Sequence, residues 1–204
     1  VMPVLLRVSD ERTLQQFVRA LEFVVARHDA LRTAIFWRDV AEPVQVVMHT
    51  AEMIVETLEL TGDVVAQMRA LSVPNAHYID LQCAPLIRLK LVKNTEQAGD
   101  KSGYLVQMLL HHIIIDHLGL EIIQAELQAC MQGQQSLLTP PAQYHQFVDR
   151  ALVQQNNQAS KDFFKQQLAG LQQGCIPFGL DNVQGDGKHI LVNRSLLNAD
   201  VHQQ

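Results

Sequence analysis

The sequence predicts an α/β fold in which strands are interleaved with helices rather than segregated from them. Three observations carry this. The 204 residues are enough for one domain, or at most two small ones, with a real core. Residues 87–91 alternate apolar and basic as a half-wet strand does. Between such runs lie segments whose apolar residues recur at helical spacing, the first of them over residues 14–25.

Taken in order, Asp10 is placed to cap a helix whose Leu14, Phe17, Val18, Leu21, Val24 and Val25 form one stripe, ending near His28. ALRTAIFW then leads into a strand. PVQVVMH (43–49) and IVETLEL (54–60) are short β-rich runs, and residues 63–72 read as a second helix. LIRLKLV is the alternating strand, joined by the polar, glycine-bearing segment 94–103 to YLVQMLLHHI as a hairpin-type connection. A helix is expected from about Leu118 to Gln132. Another is expected to open at Thr139 as N-cap with Pro140 in its first turn and Tyr144, Phe147, Val148, Ala151 and Leu152 on one face. Residues 160–170 continue helical to a glycine stop, and the tail beyond Gly174 is poor in pattern.

Composition excludes several classes of function. Hydrophobic residues make up 48% and charged residues 18%, a globular profile. With net charge -5, a sequence pI near 6.0 and no long basic run, a phosphate-binding footprint is absent and nucleic acid is not expected as a partner. No apolar stretch is long enough to span a bilayer, and Val1–Leu6 is too short for a signal-peptide core. The chain opens on Val1 rather than Met, as a processed or excised chain does. Cys83, Cys130 and Cys175 are odd in number, far apart and without a CxxC, which favours reduced thiols in the cytoplasm.

One segment carries chemistry: LLHHIIIDHLGL (109–120). If the strand runs regularly from Tyr104, His112 shares a face with Val106, Met108 and Leu110, while His111 joins Gln107 on the other. An imidazole among apolar neighbours favours its neutral form, which suits a group that abstracts or orients a proton. Asp116 follows the bend, and burial there would require a cationic partner. The plainer alternative is a pair of structural histidines beside a core strand. A metal site built from His111, His112, Asp116 and His117 is the third reading. Adjacent strand histidines diverge and cannot easily share one ion, so no metal is expected.

HHIIIDH resembles the HHxxxDG signature of the condensation domains of nonribosomal peptide synthetases, within the wider chloramphenicol-acetyltransferase-like acyltransferases. RHDALRTAIF (27–36) is similar to the family's RHExLRTxF, and CAPLIRLKLV (83–92) to its APLxRxxL strand. YHQFVDRALVQ (144–154) and FFKQQLAGL (163–171) are similar to its YxDFAxW and YWxxxLAG helices. The matches run in family order over roughly residues 14–180.

The resemblance implies a chloramphenicol-acetyltransferase-like sandwich of a mixed β-sheet with flanking helices, one half of a V-shaped pseudo-dimer. Residues 1–175 would form the N-terminal subdomain, and 176–204 would lead toward a C-terminal half outside this chain. It implies amide (peptide) bond formation between an acyl or peptidyl donor thioester and an aminoacyl acceptor thioester. Both substrates ride on phosphopantetheine of upstream and downstream carrier proteins, with no cofactor bound by the domain itself. His112 falls on the family's catalytic histidine, and His111 supports it. Asp116 falls on the structural aspartate, with Arg32 as its expected ion-pair partner. His117 and Gly119 would border the substrate channel. His117 stands where the motif has glycine, which allows backbone geometry and ligand approach that a histidine obstructs. That departure bears on substrate range and on activity, and supports the alternative of a non-catalytic condensation-like module that docks a carrier protein. An epimerisation or cyclisation relative is the third possibility. The cyclisation signature is absent, and the Ser-Trp expected after an epimerisation motif is Gly119–Leu120 here.

Overall fold

The structure, a computed structural model, describes residues 1–72, 77–94, 103–155 and 157–171. Two compact units divide at 158/159. The expected boundary at 175/176, like the hairpin connection over 95–102, lies outside the described residues.

The first unit is built on a four-stranded mixed sheet. Strand β1 (Met2–Val8) and helix α1 (Glu11–Arg27) are followed by the short strands β2 (Thr33–Phe36), β3 (Val44–Val47) and β4 (Ile54–Thr57). Helix α2 (Val64–Ala70) then precedes β5 (Ile87–Asn94), β6 (Gly103–Leu110), α3 (His117–Met131) and α4 (Tyr144–Gln155). The sheet order is β1-β6-β5-β4, antiparallel except for the β4–β5 pair, while β2 and β3 form a separate two-stranded ribbon. Helix α5 (Gln158–Leu168) belongs to the second unit from Ala159 onward.

Amphipathic patterning explains the layering. Asp10 caps α1, its carboxylate accepting from the Thr13 amide at 2.8 Å. Leu14, Phe17, Leu21, Val24 and Val25 of α1 and Ile123 and Leu127 of α3 meet Ile87, Leu89, Val106, Met108 and Leu110 on one face of the sheet. On the other face, Val64 and Met68 of α2 cover Val92 and Leu105. Leu21, Leu89 and Leu110 are fully buried, and each contributes about 1.5–3 kcal/mol through removal of its side chain from water. Gln107 also points to the α2 side, its Nε2 donating to Ser72 Oγ at 2.7 Å.

Strand β1, which the sequence pattern did not announce, is paired along its whole length with β6. Two expectations are corrected. Thr139 does not cap a helix: α4 begins at Tyr144. Thr139 and Pro140 both precede a proline, which disfavours the helical region, and the Thr139 carbonyl is occupied by Arg27 Nη2 at 2.6 Å. The α4 stripe is also not buried, with Phe147 66% and Leu152 54% exposed.

Candidate functional site

Strand β6 ends at Leu110, and the chain then turns. The His111 amide donates to the Leu86 carbonyl at 3.0 Å, holding the turn to the chain just before β5. The Ile114 amide donates back to the His111 carbonyl at 3.2 Å, and the Ile113 amide donates to His111 Nδ1 at 3.2 Å. Ile114 and Ile115 are buried and anchor the far side of the turn in the core, leaving His112 at its exposed tip. Ile114 and Ile115 therefore plug the core from a turn rather than continue the strand.

Asp116 caps α3, its Oδ1 accepting from the Gly119 amide at 2.8 Å. That hydrogen bond to the charged form holds the Asp116 carboxyl below its ordinary range, with the nearby imidazoles of His117 and His112 acting in the same direction. Gly119 fits tightly beneath it. A Cβ at this position would lie 2.8 Å from Ile115 Cγ1 and 3.3 Å from Asp116 Oδ1. His117, the first residue of α3, is exposed.

Two site expectations are corrected here. The strand ends before His112, so alternation does not carry to it, and His112 does not sit among apolar side chains. The half-buried imidazole is that of His111, and burial pushes its pKa down. Arg32 does not pair with Asp116, which is exposed at a helix cap. Its Nη2 instead meets Asp29 Oδ1 at 2.7 Å, and its Nη1 donates to the Met48 carbonyl. Asp29 lies three residues away on a single 3-10 turn (Asp29–Arg32), so the local partner wins over the distant one.

The RHDALR segment thus acts as a bracket. Arg27 Nε and Nη2 grip Glu126 of α3 at 2.9 and 3.1 Å, and His28 Nε2 reaches the same carboxylate at 2.7 Å. Asp29 Oδ2 accepts from the Tyr144 amide at 3.3 Å, satisfying a donor at the start of α4. Glu126 was not singled out in the sequence. Its signal was phase alone, since it lies beside Ile123 and Leu127 on the buried edge of α3. No group of three or more His, Cys, Asp or Glu side chains is placed to hold a metal ion among the described residues. No helix among them is long and apolar enough to cross a membrane.

A mixed sheet flanked by helices, with a histidine turn at the end of a central strand and an aspartate capping the next helix, forms one half of a chloramphenicol-acetyltransferase-like α/β fold. The same fold is seen in a point mutant of the starter condensation domain of rhizomide synthetase. The TM-score is 0.62 at 17% identity, over 84% of this chain and 43% of that one. Residues 1–186 match the Condensation domain family, and the chain belongs to it. It is 33% identical over 199 residues to malpinin synthetase and 31% identical over 191 residues to malpibaldin synthetase, both of Mortierella alpina. The matches cover 96% and 92% of this chain but 2% and 3% of those synthetases. The general reaction of the family is peptide-bond formation by acyl transfer.

Proposed function

We propose that this chain supplies the histidine-bearing half of a condensation domain, with His112 acting on the amine of an aminoacyl thioester. The amine attacks the thioester carbon of an acyl or peptidyl donor, the C–S bond breaks, and the thiolate leaves with a proton. The observation that carries this reading is the turn itself. Buried Ile114 and Ile115 fix it from one side, its tip presents an exposed imidazole, and Asp116 ends it by capping α3. Such a group is open to a substrate yet held in place, as proton transfer or orientation requires. In this reading His111 and Asp116 support the turn, and His117 and Gly119 border the channel. The partners are upstream and downstream carrier proteins bearing phosphopantetheine, together with a second acetyltransferase-like half, in the cytoplasm. Residues 1–175 form the N-terminal subdomain and 176–204 the connecting segment.

The test is product formed from two loaded carrier proteins by the parent synthetase module. His112→Ala should lose ~10²–10⁴-fold in rate while carrier binding persists. His117 in place of the motif's glycine favours a second reading, a docking module without turnover. Unchanged product formation in His112→Ala, or none in the parent, would replace the first reading with the second.

A further inference from the structure

The turn that presents His112 is closed by a side chain rather than by the backbone alone. Its two flanks are tied by main-chain bonds, His111 amide to Leu86 carbonyl and Ile114 amide to His111 carbonyl. The amide between them, that of Ile113, donates to His111 Nδ1 at 3.2 Å. This bond spans one residue only, and that residue is His112.

We infer that His111 is a positioning residue for His112, acting through Nδ1 as the acceptor of a side-chain-closed turn. The imidazole Nδ1 is attached to Cγ, as the side-chain oxygen of asparagine is, and here it does what that oxygen does in an Asx-turn. An Nδ1 that accepts carries no proton, so the neutral ring holds its hydrogen on Nε2. Protonation would convert the acceptor into a donor facing another donor and open the turn. Partial burial of the ring disfavours that protonation. The two histidines therefore have separate tasks. His111 stays neutral and fixes the backbone, leaving His112 free to handle the proton.

The consequence for the reaction rests on the acyl-transfer reading above; the hydrogen bond does not. In the chain itself, the ¹⁵N shifts of His111 should show the Nε2-H tautomer, and the Ile113 amide should exchange slowly. A protonated Nδ1, or a fast-exchanging Ile113 amide, would overturn the inference whatever the domain catalyses. In the parent synthetase module, His111→Asn keeps an acceptor at the Nδ1 position and should retain activity within about threefold. His111→Gln moves its oxygen out toward the Nε2 position, and His111→Ala removes it. Both should lower kcat ~10–100-fold with little change in KM, the scale expected of a misplaced catalytic group. A merely structural histidine predicts no such ranking of Asn over Gln among folded variants. If Gln matches Asn, or Asn is as poor as Ala while folded, His111 does not position His112 through Nδ1. If His112→Ala is fully active, the acyl-transfer reading falls, and the shift and exchange data still decide the hydrogen bond.

Discussion

Glu126→Ala is the sharpest test of the bracket that sets helix α3. The carboxylate receives two bonds from Arg27, at 2.9 and 3.1 Å, and one contact from His28 at 2.7 Å. Exposure is low on all sides: 12% for Glu126, 15% for Arg27 and 21% for His28. Removing one partner of a buried pair costs about 3–5 kcal/mol, because the other charge is left uncompensated. Water reaches this cluster in part, and Arg27 keeps its bond to the Thr139 carbonyl, so the lower end applies, about 3 kcal/mol. For a chain of this size that corresponds to a fall in Tm of roughly 6–12 °C. The assay is thermal unfolding followed by circular dichroism at neutral pH, in low and high salt. Glu126→Gln, which keeps an acceptor, should lose less than Glu126→Ala. In a double-mutant cycle the Arg27→Ala and Glu126→Ala losses should be markedly less than additive. A Tm within about 2 °C of the parent, or strict additivity, would refute the bracket as a stabilising contact.

Two further outcomes follow from the start of α3. Asp116 is depressed in the folded state, so its contribution is fully present above the ordinary carboxyl pKa and is lost as pH falls through the lower folded value. Protection of the Gly119 amide should therefore persist into acid and then collapse, whereas Asp116→Asn should show no such transition; a flat wild-type profile would contradict the cap. Gly119→Ala pits a helix-propensity gain of up to about 1 kcal/mol against overpacking of about 1–3 kcal/mol. The new Cβ meets buried Ile115 at 2.8 Å, at its Cγ1 rather than at the far end of the side chain. A net loss of about 1 kcal/mol in denaturant unfolding is expected, and a gain would show that the turn can yield.

The parts of the fold that were legible in sequence are those governed by local rules. The stripe of α1, its Asp10 cap and the alternation of β5 are all decided by residues close together, and the structure places them as read. What escaped reading depends on partners far away. β1 shows no alternation because its neighbour β6, not its own pattern, makes it a strand. Thr139 looks like a cap until Arg27, 112 residues earlier, takes its carbonyl. At the site, the family motifs located the right segments but not their partners. Arg32 found Asp29 rather than Asp116, and the partner of Glu126 is Arg27, 99 residues away in sequence. Extending the β6 alternation two residues too far put His112 on the wrong kind of surface. The three β-branched residues after it looked like more strand, yet two of them plug the core from a turn.

The pairing of β1 with β6 also sets a timetable. The two strands that meet at Met2↔Leu110 are separated by about a hundred residues, whereas β6 has β5 close by in sequence. Closing so long a loop costs about 4 kcal/mol in chain entropy before any contact offsets it. During synthesis at ~5–20 residues per second, β1 emerges roughly 5–20 s before the strand it must pair with exists. For that interval an apolar segment, MPVLLRV, is without its ladder partner, and β6 once made can join β5 first. The histidine turn, tied to the β5 side through the Leu86 carbonyl, is thus placed to take shape in a hairpin that folds early. The edge strand lying beside it arrives last, and that is the window in which a holdase would have something to bind.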